Sequence, residues 1–293
     1  MEFLKNYNQI RKINAKSIFR DLALEALIMN DNLINNSKYL SRKRVHFLIL
    51  HHIFDDEIVA FDNLLKYLSK THEFISYSKA VEKILNGNID KPYLVFSFDD
   101  GFKNNIKAAE ILNRYNAKGC FFINPFSIDI DKEEEIISFC KEKLHLPKTE
   151  FMNWNDVEIL LKSGHEIGSH SMSHDRLSIR SDNQIKDDLI ESYELLSRNC
   201  GLIKHFAFPY GTFNDIRLNT INFVFEAGYL SCASAERGCH INDDNKIIEK
   251  EKLLIRRDQV IAYDKLSHNI HFISKSSKNA KFKENFSPFI IKK

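Results

Sequence analysis

Residues 93–98, Tyr-Leu-Val-Phe-Ser-Phe, form an uninterrupted apolar, β-prone run that stops at Asp99-Asp100-Gly101. A run of this length without polar alternation predicts a strand covered on both faces, the kind found in parallel sheets. Two adjacent carboxylates at the end of such a strand are costly unless a cation, a donor or water meets them. About a quarter of the chain later, Gly168-Ser169-His170-Ser171-Met172-Ser173-His174 supplies two imidazoles four residues apart. In a helical turn that spacing places both rings on one face, where they can share an ion. Two neutral imidazoles, one carboxylate and open water positions predict a hydrolytic site for Zn²⁺ or a similar divalent ion.

Each cluster alone has a plainer reading. An Asp-Asp-Gly at a strand end is often a turn or a helix cap. An H-x-x-x-H pair without a glutamate beside its first histidine is a weak metal signal. Both clusters on adjacent α/β elements of one chain are harder to dismiss, and their flanks decide between the readings.

Those flanks resemble the polysaccharide deacetylase family, the nodulation-type carbohydrate esterases. Ser97-Phe98-Asp99-Asp100-Gly101-Phe102 looks like the family's first motif, T/S-F-D-D-G, and His170-Ser171-Met172-Ser173-His174 matches its second, H-S/T-x-x-H. Trp154-Asn155 and Ser163-Gly164-His165-Glu166-Ile167-Gly168 lead into the histidines in a similar way, and Phe208-Pro209-Tyr210-Gly211 resembles the third motif, R-x-P-Y/F. The resemblance runs from about Val45 to about Arg257. It departs at Ala207, which stands where the third motif has arginine. A branch with F-A-x-P-Y-G here carries a leucine-x-arginine segment later, which Leu254-Ile255-Arg256-Arg257 resembles. Arg256 is therefore expected to orient Asp99 from another strand, with Arg257 on the opposite face. The late leucine-x-histidine motif has no clean match; His268 and His271 fall in a helix-like stretch.

The resemblance implies an α/β fold, a distorted (β/α) barrel of about seven parallel strands, with chemistry at the strand C-termini. It implies Asp100, His170 and His174 as metal ligands and Asp99 as the general base for the attacking water. The backbone N–H of Tyr210 would bind the tetrahedral oxyanion, with Arg256 as orienter. The ion would be Zn²⁺, with Co²⁺, Ni²⁺ or Mn²⁺ as substitutes. The acid that protonates the departing amine is open: Asp99 returning its proton, or His51 or His52 at the end of the Val45–Leu50 strand. The implied substrate is an N-acetylated or N-formylated amino sugar in a glycan or a lipid-linked precursor of a surface polysaccharide. Two other readings stand beside it: hydrolysis of a small non-sugar amide on the same barrel, and a catalytically silent carbohydrate-binding relative.

Strand-like and helix-like segments alternate along the rest of the chain. Helical spacing covers Phe61–Leu68, Ala80–Leu85, Asn104–Tyr115 and Asp182–Arg198; further strands are expected at 118–123, 205–208, 229–233 and 253–255. Residues 129–150 are highly charged and read as a mobile excursion. The expected organisation is an N-terminal helical extension over 1–43, a catalytic barrel over 44–274 and a basic tail over 275–293. At 43% hydrophobic residues the chain can bury a large core, and a net charge of +2 predicts neither nucleic acid nor a strongly anionic surface as partner. Five cysteines without C-x-x-C spacing read as reduced thiols. Cys232, Cys239 and His240 fit no standard zinc spacing. No apolar run opens the chain and none reaches the length of a membrane span. That predicts a cytoplasmic enzyme, free or held peripherally at the inner membrane face.

Overall fold

The computed structural model describes residues 2–11, 14–33, 36–242 and 253–281. Among them, nine strands make one parallel sheet: β1 (Arg44–Leu50), β2 (Glu73–Phe74), β3 (Pro92–Phe98), β4 (Gly119–Ile123), β5 (Glu166–Ser169), β6 (His205–Ala207), β7 (Ser231–Ala233), β8 (Leu254–Ile255) and β9 (Arg257–Gln259). Their order in space is β8-β7-β6-β5-β4-β3-β1-β9, with β2 beside β3. Only Arg256 separates β8, which pairs with β7, from β9, which pairs with β1. One kinked segment thus joins the two ends of the sheet and nearly closes it, giving the seven-staved barrel that the sequence predicts.

The helices are α1 (Ala15–Leu33), α2 (Ile58–Leu68), α3 (Tyr77–Leu85), α4 (Asn105–Arg114), α5 (Glu133–Phe139), α6 (Trp154–Lys162), α7 (Asp182–Cys200), α8 (Leu218–Glu226) and α9 (Leu266–Lys278). Local chemistry starts them where the sequence suggests. Asn153 with Asp156 and Ser181 with Gln184 form capping boxes at α6 and α7, each satisfying two backbone donors that a helix start leaves free. Helix α9 runs through position 274, the expected barrel boundary, and most of the expected tail lies outside the described residues.

Strand alternation sorts the core into two layers. Val45, Phe47, Tyr93, Val95, Cys120, Phe122, Ala207, Ala233 and Ile255 share the barrel interior with Tyr77, Ala80, Val81 and Ile84 of α3. The alternate positions, including Leu48, Leu50, Phe96, Phe98, Phe121, Ile123 and Phe206, pack outward under the helices. Gly168 takes an interior place on β5: a Cβ there would come within 2.4 Å of the Phe122 ring, so the stave must be bare for Phe122 to fill the interior. The five cysteines are free thiols, four of them buried.

Helix α3 seals the N-terminal end of the barrel. Ser78 donates through its backbone N–H (3.0 Å) and its hydroxyl to Glu166, the first residue of β5, and its Oγ meets His205 Nε2 at 2.9 Å. Burial alone would raise the Glu166 carboxyl, but bonds from His205 and Ser78 hold it down to about 2. A depressed carboxyl stabilises the fold above its unfolded value, here 4.5, and that stability is lost as pH falls toward 2. The contribution is up to about 3 kcal/mol. Glu166→Gln should therefore flatten the acid limb of stability in denaturant titrations between pH 4.5 and pH 2. An unchanged limb would show that the seal carries no proton linkage.

Candidate metal and hydrolytic site

The C-terminal ends of β1, β3, β5, β6 and β7 converge on one small cavity of about 190 Å³, lined by His51, Asp99, Asp100, His145, His170, His174 and Tyr210 among others. Asp99 continues β3 on its inward side, and its backbone N–H donates to Leu50 O at 3.0 Å, extending the β1–β3 ladder by one bond. Asp100 then turns with φ 73°, a left-handed value that frees its carboxylate from the strand direction. The two histidines follow β5 in a turn in which Ser171 and His174 are left-handed, φ 64° and 55°. The expected helical turn is thus an irregular one; it still brings both rings together, with centroids 5.0 Å apart.

Asp100, His170 and His174 offer donor atoms within 4.8 Å of one another, all three residues buried. His170 Nε2 and His174 Nε2 lie 3.4 Å and 3.3 Å from Asp100 Oδ1. Among the described residues Asp100 Oδ1 has no hydrogen-bond partner although it is buried, the kind of orphan a cation would satisfy. His170 Nδ1 lies 2.8 Å from Ala207 O, so that nitrogen donates and the Nε2 lone pair faces Asp100. Burial alone would raise the Asp100 carboxyl; contact with His170 and His174 instead holds it well below the usual carboxylate range. Burial pulls His170 down, and the charges of Asp99 and Asp100 outweigh it and raise its pKa. The cluster therefore demands positive charge, and its donor set fits a divalent ion.

The expected Arg256–Asp99 contact is not formed. Arg257 makes it, with Nη1 donating to Oδ1 at 2.8 Å and Nη2 to Oδ2 at 2.9 Å, both side chains buried. Ile255 faces the barrel interior, so the two-residue period of a strand turns Arg257 inward and Arg256 outward. Arg256 lies instead with its guanidinium 4.7 Å from the Phe213 ring centroid. Burial would lower the Arg257 pKa, but the Asp99 charge raises it above the ordinary value.

Three supports escaped the sequence reading. Asn124, inward at the end of β4, donates through Nδ2 to His170 O and, at 3.2 Å, to Ser171 O, pinning the histidine turn. Met172 of the same turn donates to Asp188 Oδ1 at 3.1 Å. The charged segment after Asp129 is folded rather than loose: Ile136, Phe139 and Cys140 pack on Phe102 and Phe151. Its π-helical end, Cys140–Leu144, brings Lys143, Leu144 and His145 to the cavity wall, and Tyr210 Oη donates to Lys143 O at 3.0 Å. Only long-range packing reveals these contacts. Asn124→Ala should weaken metal affinity about 10–100-fold by loosening the turn, as measured by competition with a chromogenic chelator. Unchanged affinity would remove Asn124 from the support of the site.

The two strand-end histidines part company. His51 lines the cavity, with its pKa lowered by burial and partly restored by Asp100 and Asp99. His52 is bonded to Glu57 at 2.7 Å and stacked on Phe54. His268 and His271 lie on α9, as the sequence suggests, and do not line the cavity.

Residues 86–227 match the model of the family described as polysaccharide deacetylase. Among curated proteins, the chain is 26% identical over 135 residues to a chitooligosaccharide deacetylase of Azorhizobium caulinodans, covering 45% of this chain and 54% of that protein. It is 28% identical over 140 residues to the uncharacterized protein YlxY of Bacillus subtilis, covering 45% of this chain and 35% of that one. The chain thus spans between a third and about half the length of these relatives. Among solved structures, IcaB from Ammonifex degensii superposes with a TM-score of 0.64 at 16% identity over 80% of this chain and 98% of that one. A de-N-acetylase from Aggregatibacter actinomycetemcomitans gives 0.61 at 20% identity over 78% and 99%. These two show the same barrel fold. The family-model match thus covers just under half of this chain, and the solved structures share its barrel fold.

Proposed function

We propose that the protein is a metal-dependent hydrolase of the nodulation-type branch that removes an N-acetyl or N-formyl group from an amino sugar. The substrate is a glycan or lipid-linked precursor of a surface polysaccharide, met in the cytoplasm or at the inner membrane face. The observation that carries this reading is Asp99, clamped by Arg257 within 3.8 Å of His170 Nε2 and one residue from Asp100. Asp100, His170 and His174 would hold the ion, Zn²⁺ or one of Co²⁺, Ni²⁺ and Mn²⁺. Such an ion, when bound, acidifies water and polarises an amide carbonyl.

The chain's own groups supply the rest. Asp99 takes the proton of the attacking water, and the bidentate Arg257 fixes which lone pair it presents. The Tyr210 backbone N–H, held at φ 61° after Pro209, donates to the developing oxyanion. His51, or Asp99 returning its proton, protonates the departing amine; His52, tied to Glu57 and Phe54, is outside that role. Lys143, Leu144 and His145 wall the cavity, which is about 190 Å³.

Release of acetate or formate across a panel of N-acylated amino sugars and oligomers tests the reading. Release from at least one sugar supports it; release only from small non-sugar amides, or from none, overturns it. For the ligand set, purified protein should carry about one divalent ion per chain, and His174→Ala should lose it. Equal metal by elemental analysis in both would dismiss the assignment.

A further inference from the structure

Arg257 reaches Asp99 from a stave that the sheet itself holds weakly. Strand β9 is three residues long, pairs with β1 and is separated from β8 by the single residue Arg256. Its register, Phe47↔Arg257 and Leu48↔Asp258, turns Arg257 into the barrel and Asp258 to the outside. The two bonds from Arg257 to Asp99 need the strand fixed along its axis and about it, because a paired guanidinium and carboxylate align in one geometry. A ladder this short, at the end of a sheet, is among the parts of a fold most readily opened.

Asp258 supplies a hold from the outer side. It is fully buried, a place where a carboxylate stands only when it is paired. Its Oδ1 accepts from the Gly238 backbone N–H at 2.8 Å and from Ser276 Oγ of α9 at 2.9 Å. Its Oδ2 lies 3.1 Å from His46 Nε2 on β1 and 3.9 Å from Arg237 Nη1. His46 is set in turn by Arg44, whose Nε donates to His46 Nδ1 at 3.2 Å. Arg237 lies over the Phe272 ring of α9, 4.5 Å from its centroid. Burial alone would raise the Asp258 carboxyl; His46, Arg237 and Ser276 hold it below its ordinary value, so it stays charged. One carboxylate thus ties β9 to β1, to the chain before Cys239 and to α9, one residue from the arginine of the site. All of these groups lie outside the residues 86–227 that match the family model.

We propose that Asp258 is a positioning residue for the hydrolytic site: it holds β9 from outside the barrel so that Arg257 meets Asp99 with both bonds. This rests on Asp99 being the base of the proposed hydrolysis. A purely architectural carboxylate would change how much protein folds; one that aims Arg257 also changes turnover in the protein that has folded. A displacement of the clamp by about 1 Å is enough to cost a factor of about 10² in rate. Neither the proposed ligand set nor the cavity wall includes Asp258, so metal and substrate binding are not its task.

Asp258→Asn and the milder Ser276→Ala, which removes one bond and leaves the charge, test this in the full chain. In Asp258→Asn, kcat should fall about 10–100-fold with KM within about twofold and metal content unchanged; Ser276→Ala should lose about threefold. In an Arg257→Lys background, Asp258→Asn should cost less than about twofold more, because the clamp it aims is already gone. A readout without substrate is the Arg257 Nε–H, which donates to Ser234 O at 2.9 Å and is identified by its absence from the ¹⁵N spectrum of Arg257→Lys. Its hydrogen exchange should be at least about tenfold faster in both Asp258→Asn and Ser276→Ala, while the Phe121 amide of β4 keeps its rate. Unchanged kcat, unchanged Nε–H exchange, or losses that multiply in R257K/D258N each overturn the proposal, and Ser276→Ala decides it if Asp258→Asn does not fold. Wild-type protein that releases no acetate or formate from any sugar refutes the proposed hydrolysis instead; the exchange comparison then still decides whether Asp258 holds Arg257.

Discussion

Asp99→Asn should leave the metal in place and cut turnover by a factor of about 10² or more. An amide cannot accept the water's proton, whereas Asp100, His170 and His174 keep every donor that converges in the buried cluster. The amide oxygen can still accept one N–H from Arg257, so the clamp is weakened rather than abolished. Metal content by elemental analysis and turnover by acetate release separate the two roles. Loss of metal in Asp99→Asn, with activity rescued by excess metal, would reverse the roles of Asp99 and Asp100.

Arg257→Met should be the most damaging single change to both stability and activity. The guanidinium and the Asp99 carboxylate are fully buried and make two parallel bonds, with a further contact from Arg257 Nη1 to Ser97 Oγ at 3.3 Å. Removing one partner leaves an uncompensated charge inside the barrel, at a cost of about 3–5 kcal/mol. Turnover should fall with it, because Asp99 loses its orientation. Arg256→Met, by contrast, removes a contact with the Phe213 ring outside the barrel and should change turnover little. The double variant D99N/R257M removes both charges and should recover much of the stability lost in Arg257→Met, but none of the activity. Denaturant midpoints of the four proteins decide this. Arg256→Met costing more than Arg257→Met would contradict the geometry.

The staves with long apolar runs were legible from sequence because a buried parallel strand needs little else: β1, β3 and β4 fall where the runs of Val, Leu, Ile and Phe fall. The stave at β9 was not. Its Arg257 faces inward to Asp99, and Asp258 is buried against His46 at 3.1 Å and accepts from Ser276 at 2.9 Å. A strand of charged residues paired on both faces has no hydropathy signature, and its register decided which arginine reaches the site. The proposed ligands were legible because His170 and His174 stand four residues apart and Asp100 ends a long apolar run. Asn124 and the His145 wall come from segments distant in the chain, so only the packing of the α5 excursion and the end of β4 reveals them.

The central claim is that Asp100, His170 and His174 hold an ion on which amide hydrolysis depends. Acetate release from an N-acetylated amino-sugar oligomer, followed through chelation and stepwise return of Zn²⁺, tests it most directly. Activity should vanish on chelation and return with a break at about one equivalent per chain, and His174→Ala should not recover at that stoichiometry. Release that persists undiminished in the chelated protein, or that returns equally in His174→Ala, would contradict the account.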